Sequence, residues 1–184
     1  MRQYLKVGIT LALICAVAAS ALAFVNNVTK DRIASYEEGV VSDAYSEISA
    51  GFTVGQLLVP EDEMVIEYHP LTDSSGSLAG YIVMLNGNGY GGEMTIMASY
   101  AIDGELLGAK LLGNSETPGL GKKAESKTYM DKFIGAGASD LIPVKKSQLP
   151  ESEAESIGGA TVTFSGIAKA LDYGSDYVKT LRGK

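Results

Sequence analysis

The chain has 184 residues, with 22 acidic against 15 basic side chains and a formal net charge of −7. That length suits one domain plus a small appendage and is too short for a two-domain dehydrogenase or a large barrel. The acidic balance argues against a nucleic-acid partner, which needs a basic face. One Cys, one His and no Trp exclude a thiolate zinc site, an iron–sulfur cluster and an internal disulfide. Redox work by such a chain requires an added cofactor.

Arg2 and Lys6 precede a run of 23 uncharged residues, 7–29. At about 1.5 Å per residue this run reaches across ~30 Å of hydrocarbon. The competing reading is a cleaved signal peptide, because Ala21-Leu22-Ala23 resembles a small-residue cleavage site. The run exceeds the usual signal core of ~7–15 residues, which favours an uncleaved anchor over 1–29. Cys15 lies mid-run without the small residue that a lipoprotein signal places just before its Cys, so it reads as an apolar-like thiol. Basic residues are nearly balanced across the run. The habit of signal anchors then places the N-terminus in the cytoplasm and residues 30–184 outside, as a single-pass protein of the cell membrane in contact with lipid. All 22 acidic residues and 13 of the 15 basic ones follow the run, leaving residues 30–184 at −9.

Those 155 residues make one ordinary domain. Thr29 is placed to cap a helix running to about Ser49, with Ile33, Tyr36, Val40, Ala44 and Ile48 on one face. Strands are expected at 64–68 and 79–85. The clearest strand is 93–102, where Met94, Ile96, Ala98, Tyr100 and Ile102 alternate with Thr95, Met97, Ser99 and Ala101. Asp103-Gly104 turns the chain into a partner strand over 105–112. A helix is expected over 122–134, with Ala124, Tyr129, Met130 and Phe133 inward and Gly135-Ala136-Gly137 ending it. A last helix is expected over 165–181, capped by Ser165 and carrying Ile167, Ala170, Leu171, Val178 and Leu181. The expected class is α+β: an N-terminal transmembrane helix, then a central antiparallel sheet flanked by helices.

Four constellations bear on chemistry. Gly87-Asn88-Gly89-Tyr90-Gly91-Gly92 fits G-x-G-x-x-G, but a strand follows where a dinucleotide fingerprint needs a helix N-terminus. It reads as a glycine-rich connection, or as close backbone approach to a flat ligand. Glu116-Thr117-Pro118-Gly119-Leu120-Gly121 contains a Pro-Gly pair suited to a type II turn. The same loop could also present a hydroxyl, backbone N–H groups and Leu120 to a heteroaromatic ring. Ile157-Gly158-Gly159-Ala160-Thr161-Val162-Thr163-Phe164-Ser165 is either a flexible turn or a bare backbone displaying Thr161 for modification. A phosphate there would be stabilised by helix-terminal N–H groups. Glu61-Asp62-Glu63 with His69 reads as a solvated loop or as a hydrolytic or metal site.

The second and third constellations, about forty residues apart after one apolar segment, resemble RnfG, the covalent-FMN protein of the Rnf electron-transport complex. The related NqrC of the sodium-pumping NADH:quinone oxidoreductase is similar. The family's flavin motif is D-x-x-[ST]-G-A-T-x-[ST]. The resemblance implies that Thr161 carries FMN through a phosphoester, installed by a flavin transferase that uses FAD and magnesium. It implies that Glu116, Thr117, Gly119 and Leu120 line the ring or its attachment. Gly159 and Ala160 would let the flavin and the transferase approach, and Gly158 and Thr163 complete the cofactor-binding motif. Glu155 stands where the family has Asp, and Gly158 where it has Ser or Thr. The implied function is an electron-relay subunit of a membrane-bound ferredoxin:NAD oxidoreductase, coupled to sodium or proton translocation. The other Rnf subunits would be partners, and nucleic acid would not. An FMN domain serving another reductase, or a non-redox anchored binding module, are the alternatives.

Overall fold

The computed structural model describes residues 2–182. By internal contacts the chain divides into two compact units, Met1–Ser42 and Asp43–Lys184. The first helix, α1 (Arg2–Ile48), contributes to both. Its Arg2–Lys30 segment is long and apolar enough to cross a membrane, and none of its most apolar stretch is buried in protein. Thr29 lies inside this helix and caps nothing. Its hydroxyl donates back to the Val25 carbonyl at 2.9 Å, the i−4 bond available to a threonine inside a helix.

The second unit is built on five antiparallel strands in the order β1 (Thr53–Val54), β2 (Val65–Thr72), β3 (Leu78–Asn88), β4 (Glu93–Ala101) and β5 (Leu106–Asn114). Each strand pairs antiparallel with the next in the chain; the connections are short except for the ten-residue loop 55–64 between β1 and β2. The Asp103-Gly104 turn forms as expected: Gly104 takes φ +90°, and its N–H donates to the Ala101 carbonyl at 2.9 Å. The alternation along β4 holds, with Met94, Ile96, Ala98 and Tyr100 all in the core. The opposite face of β4 is not solvated, because Met97 and Ser99 are buried too.

The expected helix over 122–134 is broken into a 3-10 turn (Gly121–Glu125), a single α turn, α2 (Lys127–Met130), and a second 3-10 turn (Asp131–Phe133). The break is at Ser126. Its backbone is extended, and its hydroxyl donates to the Lys123 carbonyl at 2.8 Å, competing with helix hydrogen bonding. The apolar pattern still decided burial, since Ala124, Tyr129, Met130 and Phe133 are all buried. A short helix without a strong sequence signal, α3 (Glu151–Ser156), precedes the last element.

The last helix, α4 (Thr161–Leu181), packs on β3 and β4. Phe164, Ile167, Ala168, Ala170, Leu171 and Val178 form its buried face. Gly174 interrupts the stripe for a reason: a Cβ there would come within 2.5 Å of the Tyr100 hydroxyl. Tyr100 is fully buried and donates to the Leu171 carbonyl at 2.8 Å. The glycine makes room for a tyrosine that bolts the helix to the sheet.

Candidate functional site

The helix α4 begins four residues earlier than expected, so Thr161 is its first residue and does not lie in the preceding turn. Ser165 does not cap it; the Ser165 hydroxyl instead lies 3.4 Å from the Val144 carbonyl. The cap position is Ala160, which has no side-chain acceptor for the first N–H groups of the helix. Thr161 is exposed, and among the described residues its hydroxyl has no hydrogen-bond partner. The preceding backbone is bare. Gly158 is exposed, and Gly159 turns the chain at φ +83°, a conformation that costs glycine little. A Cβ on Gly159 would approach Leu120 Cδ2 to 2.9 Å. Leu120 therefore sits beside the segment that leads into Thr161.

Leu120 belongs to the Glu116–Gly121 loop, which folds as the Pro-Gly pair predicts. Gly119 takes φ +77°, and the Leu120 N–H donates to the Thr117 carbonyl at 3.2 Å. Thr117, Pro118, Gly119 and Leu120 are exposed. Glu116 is not: its side chain turns inward and is 3% exposed. One carboxylate oxygen accepts the Gly91 N–H at 3.0 Å, and the other accepts the Thr163 hydroxyl at 2.8 Å. Thr163 is likewise buried. The sites implied by resemblance thus separate into two groups. Thr161, Gly158, Gly159, Thr117, Gly119 and Leu120 are surface groups. Glu116 and Thr163 form an internal clamp, and Ala160 is buried between them in sequence.

The glycine run 87–92 serves the clamp. A strand follows it, as expected, and Gly92 turns at φ +114°. A Cβ on Gly89 or on Gly121 would collide with the Glu116 carboxylate, and one on Gly91 with the Ser115 carbonyl. These glycines give the buried carboxylate its space, a role that pattern matching alone does not disclose.

Beside Thr161 lies a cleft of about 520 Å³ between α4 and the β3–β4 hairpin, within the range of small-molecule sites. Thr161, Gly166 and Lys169 lie on one wall, and Asn88 and Glu93 on another. Sequence reading missed this cleft. The only signal was the i, i+4, i+8 spacing of Thr161, Ser165 and Lys169, which has meaning only once the helix is known to start at Thr161.

The Glu61-Asp62-Glu63 and His69 set does not converge. Asp62 accepts the Met64 and Val65 N–H groups at 2.8 and 2.9 Å, and the Tyr173 hydroxyl at 2.7 Å. Burial alone would raise its carboxyl, but these three hydrogen bonds outweigh it and hold Asp62 below the usual range. His69 lies between the Tyr45 hydroxyl at 2.8 Å and the Gly55 carbonyl at 3.0 Å. A carbonyl can only accept, so Nδ1 carries the proton and Nε2 faces Tyr45. Among the described residues no group of three or more His, Cys, Asp or Glu side chains could hold a metal ion.

An exposed, unpartnered hydroxyl at an uncapped helix start, flanked by bare backbone, fits attachment of an anionic nucleotide. Comparison with known proteins identifies the family of this chain. Residues 89–175 match the family described as FMN-binding domain, and residues 1–48 match that described as RnfG N-terminal region. The chain is 30% identical over 183 residues to the G subunit of the Na(+)-translocating ferredoxin:NAD(+) oxidoreductase complex of Acetobacterium woodii, covering 91% of this chain and 87% of that protein. It is 28% identical to the G subunit of the ion-translocating oxidoreductase complex of Methanosarcina acetivorans, over 99% of this chain and 98% of that one. A third relative, the G subunit of the ion-translocating oxidoreductase complex of Cereibacter sphaeroides, is 27% identical over 91% of this chain and 80% of its own length.

Proposed function

Because the chain belongs to the RnfG family of ion-translocating oxidoreductase complexes, we propose that it is an electron-relay flavoprotein subunit, with FMN held as a phosphoester on Thr161. Residues 1–29 anchor it in the cell membrane with the N-terminus in the cytoplasm, and residues 30–184 form an extracytoplasmic FMN domain. Its partners are the other subunits of a ferredoxin:NAD oxidoreductase that moves sodium ions or protons, together with membrane lipid. A flavin transferase acts on it during maturation.

The observation that carries this reading is the Thr161 hydroxyl, exposed and, among the described residues, without a hydrogen-bond partner at the first position of a 21-residue helix. A helix N-terminus favours negative charge, and here no side chain competes for its N–H groups. Gly158 and Gly159 leave the approach open, while Thr117, Gly119 and Leu120 form the exposed lip beside it. Glu116 acts at one remove, by fixing Thr163 two residues beyond the acceptor. Bound FMN supplies the electron transfer that the side chains of this chain cannot. Covalent attachment keeps it on the side of the membrane away from the internal flavin pool, and the anchor raises its effective concentration near integral partners.

The test is intact mass and in-gel flavin fluorescence of the full chain, co-produced with a flavin transferase. Wild-type and Thr161→Ser proteins are expected to carry the FMN increment and Thr161→Ala to lack it. Retention of both signals in Thr161→Ala would overturn the assignment.

A further inference from the structure

We propose that the buried Tyr129 hydroxyl and the Glu116 carboxylate share one ordered internal water, and that through it α2 joins the clamp on the first turn of α4. The site stands whether or not Thr161 carries a flavin.

Tyr129 is 4% exposed. Its hydroxyl is the buried side-chain oxygen that, among the described residues, has no hydrogen-bond partner. A buried donor left unmade costs the full desolvation of that group. Such groups therefore almost always bond to protein or to ordered water. Phenylalanine fills nearly the same space without that cost, so the phenol oxygen implies a partner.

The segment 121–133 sets this hydroxyl beside Glu116. At one end, a Cβ on Gly121 would collide with Glu116 Oε2. At the other, Phe133 stacks on Phe164, with ring centroids 5.3 Å apart and 21° between planes. Phe164 follows Thr163, the residue that bonds Glu116. Tyr129 lies between these two contacts, four residues before Phe133. Burial first, and then the negative charge of Glu116, push its phenol above the ordinary tyrosine range.

Glu116 has acceptor capacity to spare. A carboxylate offers about four lone-pair positions. The Gly91 N–H takes one on the first oxygen and the Thr163 hydroxyl one on the second. Among the described residues the ion pairs are Lys110–Glu47, Lys122–Glu125, Lys127–Asp131 and Lys179–Asp176, and none reaches Glu116. A buried carboxylate without a cation depends on hydrogen-bond donors. Gly89 and Gly121 keep side chains off both of its oxygens.

One water answers both deficits. The phenol donates to the water oxygen, and the water donates to an unused lone pair of Glu116. A bridge of this kind is nearly as favourable as a direct bond. It would tie α2 to the carboxylate that already holds the Gly91 turn and Thr163.

The test uses the full chain in detergent. A crystal structure that resolves waters should place one about 2.7–2.8 Å from the Tyr129 hydroxyl and from one Glu116 oxygen. Direct contact between those two oxygens, or a Tyr129 hydroxyl bonded elsewhere, overturns the proposal. Chemical denaturation distinguishes the cases by sign. A bridged hydroxyl makes Tyr129→Phe lower the folding equilibrium constant about tenfold, whereas an orphan hydroxyl makes the same change neutral or favourable. A neutral or favourable result overturns the proposal. In a Glu116→Gln background the loss should shrink to about threefold or less, because the acceptor is uncharged; an equal loss in both backgrounds also overturns it. Amide exchange supplies a local readout. The Gly91 N–H, held by Glu116, should exchange about tenfold faster in Tyr129→Phe, ahead of the β4 amides. Tyr173, whose hydroxyl donates to Asp62, is the control, and equal acceleration at Gly91 in Tyr173→Phe counts against the bridge. Loss or retention of FMN in Thr161→Ala bears on none of these outcomes.

Discussion

The Thr163 hydroxyl donates to Glu116 Oε2 at 2.8 Å, joining residues 47 positions apart, and both side chains are buried. The other Glu116 oxygen takes the Gly91 N–H at 3.0 Å. One carboxylate thus ties the loop after β5, the glycine turn after β3 and the first turn of α4 into a single unit. Thr161, the proposed acceptor, stands two residues from one of its contacts. Hydrogen bonds to a charged group are worth about 1.5–3 kcal/mol, and each buried donor left unpartnered costs a further ~1–3 kcal/mol. Glu116→Ala is therefore expected to destabilise the protein strongly, and Glu116→Gln, which keeps one acceptor oxygen, much less. A double-mutant cycle with Thr163→Val, read by thermal denaturation, should give a coupling of about 0.5–3 kcal/mol. A cycle that closes at zero would show that the two side chains do not act together.

Two glycines near Thr161 should respond oppositely to a small side chain. Gly166→Ala drives a Cβ into the Asn88 carbonyl, and backbone cannot swing away as a flexible side chain can. Overpacking of this kind costs about 1–3 kcal/mol, and the start of α4 should shift with it, lowering FMN incorporation as measured by mass. Gly158→Ser meets only the Glu155 carbonyl, at 3.2 Å, on an exposed surface. It should change the melting temperature little, because surface substitutions usually stay within about ±0.5 kcal/mol. It also returns the hydroxyl found at that position in the resembling family. In vitro flavinylation with FAD and magnesium should then run faster than wild type; an equal rate would show that this hydroxyl is dispensable here.

Burial, with the Glu67 carboxylate beside it, pushes the Tyr45 phenol up to about 12. A folded-state value above the unfolded one means that the native state holds its proton longer than the unfolded chain does. The associated stability is complete below the ordinary tyrosine range near 10 and is lost as pH rises toward 12. Fully buried Tyr100 is pushed well above its ordinary value by burial and then by Asp172, and adds loss in the same direction. Melting temperature should fall on the alkaline side above about pH 10, and less steeply in Tyr45→Phe. An unchanged slope in that variant would rule out Tyr45 as a contributor.

His69 binds the same phenol. Its Nδ1–H donates to the Gly55 carbonyl, and its Nε2 lies 2.8 Å from the Tyr45 hydroxyl. His69→Ala should cost about 1 kcal/mol per hydrogen bond lost, seen in chemical denaturation, without altering FMN incorporation. A parallel loss of incorporation would place His69 in the flavin site after all.

The sequence by itself determined what repeats locally. The 23-residue uncharged run at 7–29 needs no partner to read as a span-length helix. The strand period in 93–102 and the apolar set Ala124, Tyr129, Met130 and Phe133 declared their burial through spacing alone. Pro118-Gly119 specified its turn, because only glycine takes the positive φ there cheaply. The tertiary structure alone decided where α4 begins, because its first turn is held by a carboxylate 47 positions away. It also decided which of the candidate residues face outward: Glu116 and Thr163 are polar side chains that burial and mutual hydrogen bonding take off the surface. The cleft that sets Lys169 along the helix from Thr161 likewise belongs to the packing of α4 on the sheet. Periodicity says which residues share a face, but only long-range contacts say what that face meets.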